Sequence, residues 1–439
     1  MLNISKLYGL CWINYNNYFL YFLKIWLEYR SYLLIVFMLR FFSHKLSTHH
    51  THPSGKIFAW MALFFSIGTG AFWTIFPLIL TSKLPNESFV GYYYSFLSVI
   101  GILISVLSTS IFCKISKVLI IKIVLTSSII LLILMTLAEN FWMLGFLDIP
   151  RAMCVLMTTM TLAIFVSDFS KKQELAATEG KFYYFANIGW LVGPFIGGFS
   201  AKYFGNESVF ILVSFFYLIA FLYFLHQHLR IKNPYLHNEV HKEGIKELFS
   251  NIKDYFKNIE LIKVFFVAFG LNFWWGVKSI YMPLAVQDLG YTQEIVGIIM
   301  TLSILPLVLL ENIVGKKAGK NGVRKYLIIG FLLLFIIITS FKFLEFLPIV
   351  LLLAFILANF GAAFIEPLKE TYFFEVVKKS QSGKFFGIYN IAEPAAFFIA
   401  PLFASIILSL GFGISEVWMA TAIVMLIFVA VMCFVKRKY

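Results

Sequence analysis

Charge is scarce in this chain: Asp, Glu, Lys and Arg together make up 13% of its 439 residues. A water-soluble domain carries about 25%, so an ordinary globular protein is excluded. Cysteine is scarce as well. Cys11, Cys113, Cys154 and Cys433 share no paired spacing, which leaves neither a disulfide framework nor a thiolate metal site. The chain has no phosphate-binding glycine loop, no nucleophile elbow and no set of metal ligands, so neither an ATP-driven pump nor an enzyme is expected, and no cofactor. Acids are outnumbered, 22 against 36 Lys and Arg, for a formal charge of +14. What the chain has in abundance is apolar surface. Hydrophobic residues make up 60% of it and the mean hydropathy is +0.86, values that belong in a bilayer.

The most informative stretch occurs twice. Gly180 to Ala201 reads GKFYYFANIGWLVGPFIGGFSA, and Gly383 to Ala404 reads GKFFGIYNIAEPAAFFIAPLFA. The two copies lie 203 residues apart (383 minus 180), and Asn187-Ile188 answers Asn390-Ile391. A second pair has an offset of 206: ESFVG, ending at Gly91, answers QEIVG, ending at Gly297. Pro77 and Pro283 share that offset. Parallel repeats of this kind build transporters whose substrate site lies near the midplane between two halves.

Apolar runs of spanning length recur from Lys56 onward, six up to residue 227 and six more from residue 262. The expected fold is therefore an all-α polytopic membrane protein, two parallel six-helix bundles related by a pseudo-twofold along the membrane normal. The expected domains are an extension over 1–54, a first bundle over 55–228, a linker over 229–260 and a second bundle over 261–439. The extension is too interrupted by Lys24, Glu28, Arg30 and Arg40 to span, and reads as interfacial or loosely ordered. Its cluster His44, His49, His50 and His52 lacks Cys or carboxylate partners and reads as a solvated linker rather than a metal site. Within the linker, Ile245, Leu248, Phe249, Ile252, Phe256 and Ile259 recur at helical spacing, the pattern of an amphipathic helix on the membrane surface.

Lys and Arg set the orientation. One side holds Lys114, Lys117, Lys171, Lys172, Arg230, Lys232, Lys316, Lys317, Lys320, Arg324, Lys378, Lys379 and the basic tail, whereas the other side holds Lys83, Lys202 and Lys342. Positive residues stay inside, so both termini are expected in the cytoplasm of a cell-membrane protein. The positive charge is then a signal of topology, and no nucleic acid is expected.

The fifth run carries Gly189, Gly193, Pro194, Gly197 and Gly198. Glycines four apart leave a flat groove for a neighbouring helix, and the proline permits a bend. This GxxxGPxxGG pattern, with the six-plus-six layout, resembles the proton-coupled antiporters of the major facilitator superfamily, from Lys56 to the end. The resemblance extends to Arg151, which stands where that family has an arginine associated with proton transfer, followed here by Cys154 and Val155 in place of Gln and Gly. In the loop after the second run, Cys113 stands where the family has an Asp, ahead of Lys114 and Lys117. The loop after the eighth keeps Lys317, Ala318, Gly319 and Lys320, with Lys316 in place of the acid. The family implies a monomer that exchanges a small molecule for protons by alternating access. The first helix lacks the acid found in many drug exporters of the family.

Charged groups inside spans are expensive and need partners. Asp148 and Arg151, three apart, can pair on one helix face, as a structural pair or as part of coupling. Glu366, Lys369 and Glu370 share a face of the tenth run, and Glu393 lies in the eleventh. Glu366 is nine residues before Glu375 and Glu393 nine after Lys384, so both lie roughly 13 Å in. Two carboxylates at one depth are candidate proton carriers; the alternative is that Lys369 neutralises Glu366 and Glu370, leaving Glu393 to line water. Candidate cavity residues are Asn272, Trp274, Lys278, Trp73, Asn187 and Asn390, with Lys278 expected to bind an anion or to pair with an acid such as Glu393. The leading reading is export of a small molecule against proton entry. Uptake of a polar metabolite comes second, and a membrane sensor or intramembrane enzyme is a distant third.

Overall fold

The computed structural model describes residues 56–169, 175–228, 252–377 and 381–435. The N-terminal extension, its histidines, residues 229–251 of the linker and the basic tail lie outside the described residues. Among the described residues everything regular is helix. The first half holds α1 (Lys56–Lys83), α2 (Ser88–Lys114), α3 (Lys117–Met135), α4 (Phe141–Asp168), α5 (Leu175–Phe204) and α6 (Ser208–His228). The second holds α7 (Ile259–Asp288), α8 (Gln293–Leu302), α9 (Leu305–Asn321), α10 (Val323–Leu344), α11 (Pro348–Val376), α12 (Ser382–Tyr389), α13 (Ala392–Ser409) and α14 (Ile414–Cys433).

Two spans are broken. The eighth turns at Ser303–Ile304 and restarts as α9 with Pro306 in its first turn, where a missing N–H does no harm. The eleventh turns at Asn390–Ile391 and restarts as α13 with Pro394 just inside. Among the described residues, 11 segments are long and apolar enough to cross a membrane, counting each broken span once. The 30-residue α5 is not among them, since its glycines, Asn187 and Pro194 dilute its apolar character. The described end of the linker, residues 252–257, is helical, and Tyr255 packs edge-on against Phe385 at 5.7 Å.

The repeat seen in the sequence is also a repeat of contacts. In the first half α5 lies flat on α1, because a Cβ at Gly189 would sit 2.6 Å from the Ser66 Cβ and one at Gly193 only 2.4 Å from the Ile67 carbonyl oxygen. The two halves meet where the repeated segments cross: α2 packs on α13, and α8 on α5. At the first crossing a Cβ on Gly91 would sit 2.5 Å from the Pro401 carbonyl oxygen; at the second, one on Gly297 would sit 2.4 Å from the Pro194 carbonyl oxygen. Gly205 and Gly411, 206 apart (411 minus 205), both turn the chain with φ near +88° and +87°. Each half thus repeats the other's tight spots.

Candidate functional site

The seam between the halves lies toward the end that carries the Glu87 loop. There Ser95 Oγ donates to the Phe398 carbonyl at 2.9 Å, Ser98 Oγ to the Phe397 carbonyl at 2.9 Å, and Thr301 Oγ1 to the Leu191 carbonyl at 2.9 Å. Tyr92 and Ser409 share a hydrogen bond of 3.0 Å, and Trp73 stacks on Tyr94 while meeting the Phe397 ring edge-on at 6.5 Å. Beyond the seam a cavity of about 200 Å³ lies between the ends of α1 and α7, with Glu87 and Asp288 in its lining. Burial first, and the charge of Asp288 second, push the Glu87 carboxyl up to about 7.

Toward the Lys-rich end Asn187, from the first half, and Glu370, Asn390 and Glu393, from the second, are exposed. Tyr183, on α5 of the first half, senses the charges of Glu370 and Glu393 from the second. These groups therefore face one another across an open cleft.

The cleft is ordered by α11. Helical spacing puts Glu366, Lys369 and Glu370 on one face, and Lys369 Nζ reaches Glu366 Oε1 at 2.5 Å. The second oxygen of Glu366 accepts the indole N–H of Trp275 at 3.1 Å. Both oxygens of Glu366 are occupied, whereas Glu393, in the first turn of α13, and Glu370 remain open to water. The expected neutralisation by Lys369 thus reaches Glu366, whereas no ion pair from Lys369 to Glu370 forms among the described residues. Asn272 lines the cleft with its amide N–H bonded to the Ala268 carbonyl at 3.0 Å.

Neighbouring positions on α7 have different surroundings. Trp274 is 0% exposed and packs 6.2 Å from Trp418, away from the cleft, whereas Trp275 turns toward it. Lys278 is 4% exposed and holds its ammonium 4.6 Å from the Trp275 ring centroid. Of the two expectations for Lys278, an anion or an acid such as Glu393, no pairing with an acid forms among the described residues. The ammonium rests on the aromatic face instead, a cation–π contact that partly replaces lost hydration.

In the first half, Asp148 and Arg151 are both buried and paired at 2.5 Å, with Tyr93 Oη donating to the other Asp148 oxygen at 2.7 Å. The guanidinium lies 3.7 Å over the Phe72 ring. Every face of this pair is covered, so its geometry is that of a lock inside one bundle. The rarity of charge marks Asp148 and Arg151 in the sequence, whereas nothing there marks Tyr93, 55 residues away on another helix, or favours Trp275 over Trp274.

Similarity to known proteins agrees with this architecture. A multi-drug resistance efflux pump, PmrA, of Streptococcus pneumoniae is 33% identical over 151 residues, 32% of this chain. The matched stretch spans 35% of that relative's length. Multidrug resistance protein 2 of Bacillus subtilis is 27% identical over 281 residues, covering 58% of this chain and 67% of the relative. Among solved structures, the nucleoside transporter NupG superposes with a TM-score of 0.69 at 13% identity, over 88% of this chain and 100% of the other. A bacterial homologue of the human lysosomal transporter Spinster, in an inward-facing, unoccupied conformation, does so with 0.67 at 12% identity, over 86% and 95%. The sequence profile of the Major Facilitator Superfamily matches residues 58–292 and 264–439, both halves of the fold, and this chain is a member of that superfamily of transporters.

Proposed function

We propose that this transporter exports a small molecule from the cytoplasm in exchange for protons, by alternating access between its two halves. The observation that carries the reading is the asymmetry of the central space: sealed beside Glu87, open at the Lys-rich end, with Glu370 and Glu393 free in the opening. With positive loops inside, the Lys-rich end faces the cytoplasm of the cell membrane, and the cleft is positioned to load from there. The free carboxylates are the proton carriers. Glu366 holds Lys369 and Trp275 in place, and Asp148 and Arg151 hold the first bundle rigid. Two relatives with multidrug resistance in their names, one of them named an efflux pump, support the direction.

Inside-out vesicles test both direction and coupling. Acidifying their lumen is expected to drive accumulation of a substrate drawn from a panel, with alkalinisation of the lumen as it enters. Glu393→Gln is expected to retain substrate binding and lose the response to the pH gradient. An unchanged pH dependence in that variant would remove Glu393 from the coupling. Uptake, the direction that the nucleoside transporter NupG brings into view, predicts accumulation in right-side-out vesicles with external acid.

A further inference from the structure

Within the cleft, the recess beside α11, lined by residues of the second half alone, is too small for a substrate body. Its volume is about 40 Å³, where pockets for small molecules run to roughly 300–1,000 Å³ and one water takes about 30 Å³. One ion fits, with at most a single water. Its lining is built from oxygen. Glu370 and Glu393 supply free carboxylates, while Asn272 and Asn390 supply amides. Asn272 is 6% exposed and spends its N–H on Ala268, which leaves its Oδ1 for the cleft. Tyr389 also lines the space and is 4% exposed, yet its hydroxyl is buried without a hydrogen-bond partner among the described residues. A buried orphan hydroxyl beside an ion-sized space is a sign of an absent ligand.

The charges point the same way. Lys369 is already held by Glu366, so Glu370 and Glu393 bring two carboxyl groups that no ion pair among the described residues neutralises. The break in the eleventh span adds to them, because α12 ends at Tyr389 and the C-terminus of a half-helix carries partial negative charge. Other groups facing the site are Tyr183 and Glu179 from α5 and Tyr255 from the linker. From α7 the lining receives Asn272 and no ionisable group, since Lys278 rests on Trp275.

We propose that this recess is a binding site for a monovalent alkali cation, held by the Glu393 and Glu370 carboxylates with the side-chain oxygens of Asn272 and Asn390. The proposal rests on the transport reading and extends it, because a cation and the coupling proton then compete for one carboxylate. Hard oxygen ligands suit alkali and alkaline-earth ions. The monovalent class follows from the ammonium of Lys369 in the lining and from the lack, among the described residues, of three acidic, His or Cys groups placed to hold a metal.

The test is equilibrium binding of radioactive sodium to the full-length protein in nanodiscs. Expected is saturable binding at pH 8, displaced by unlabelled sodium and not by choline. It should weaken about tenfold per pH unit once the carboxylate protonates. Glu393→Gln should abolish it, Asn272→Ala and Glu370→Gln should weaken it at least tenfold, and Glu87→Gln, at the opposite end, should leave it unchanged. Should Glu393→Gln fail to fold, Glu393→Asp and Asn272→Ala carry the same comparison. No saturable binding at pH 8, or wild-type binding by Glu393→Gln, overturns the proposal. Transport driven by a pH gradient, measured in sodium-free choline medium, separates the two readings. Transport there by a protein that does not bind sodium leaves export standing and sinks the cation site. Sodium binding by a protein that transports nothing on the panel upholds the site and sinks export.

Discussion

Substituting Gly297 by alanine separates folding from cycling. A Cβ at this position would sit 2.4 Å from the Pro194 carbonyl oxygen and 3.0 Å from the Gly198 Cα, both backbone atoms of the opposite half. Backbone cannot swing away as a flexible side chain can, so α8 and α5 must separate. Overpacking of this kind costs about 1–3 kcal/mol. The penalty falls on the sealed arrangement alone, because once the seam parts the added methyl meets no helix, and alanine favours a helix over glycine by up to about 1 kcal/mol. At about 1.4 kcal/mol per factor of ten, the open form gains between roughly 5-fold and 150-fold. The reporter is Leu78→Cys in a background without the native cysteines. Leu78 is 2% exposed and lines the cavity beyond the seam, so a water-soluble thiol reagent reaches it when that end opens. Gly297→Ala should speed labelling by that factor with little change in thermal stability. Gly193→Ala is the contrast. Its Cβ would meet the Ile67 carbonyl oxygen at 2.4 Å within one bundle, so it should lower stability without faster labelling. Equal labelling in Gly297→Ala and the parent would refute the assignment of this crossing to a seam that opens.

Glu87 gives the sealed end a pH dependence. Its carboxyl rises from an ordinary 4.5 to about 7, through burial first and the charge of Asp288 second. In the sealed form Glu87 keeps its proton up to about pH 7, whereas opened to water it ionises near 4.5. The seal therefore loosens as the pH rises from about 4.5 to 7 and no further above that. Labelling at Leu78→Cys should rise over that window in the parent and stay flat in Glu87→Gln. Asp148→Asn strands a buried guanidinium and should cost roughly 3–5 kcal/mol in unfolding experiments, with Asp148→Asn and Arg151→Met together costing less than the sum of the two. Trp274→Ala should cost about 3–5 kcal/mol through the cavity left against Trp418 while transport per folded molecule is retained. Trp275→Phe removes a hydrogen bond to a charged group, worth about 1.5–3 kcal/mol, and should alter the pH profile of transport more than its maximal rate.

Much of the fold was legible because membrane helices advertise themselves by length and apolarity. The weakest case is α5, whose apolar run is diluted by its own glycines and is marked in addition by the internal repeat. The same glycines predicted a close approach without saying to what. Gly197 turns toward Ala71 on α1, and its neighbour Gly198 toward Gly297 on α8. Adjacent residues point about 100° apart on a helix, so one sequence cannot say which of two neighbours meets the cleft, as with Trp274 and Trp275. The charged residues were found by their rarity, but their partners were not, since the bond from Tyr93 to Asp148 and that from Trp275 to Glu366 span 55 and 91 residues. The breaks in the eighth and eleventh spans were marked only by Pro306 and Pro394, and proline also sits inside unbroken helices such as α1 and α4.

The seam has one further consequence. Its polar contacts join hydroxyls either to main-chain carbonyls or to one another, and the ion pairs described each lie within a single half. Opening it separates no opposite charges, and each partner is a group that water solvates readily. In Glu87→Gln, which removes the like charge facing Asp288 across the halves, the rate at which this end opens should therefore be nearly indifferent to ionic strength.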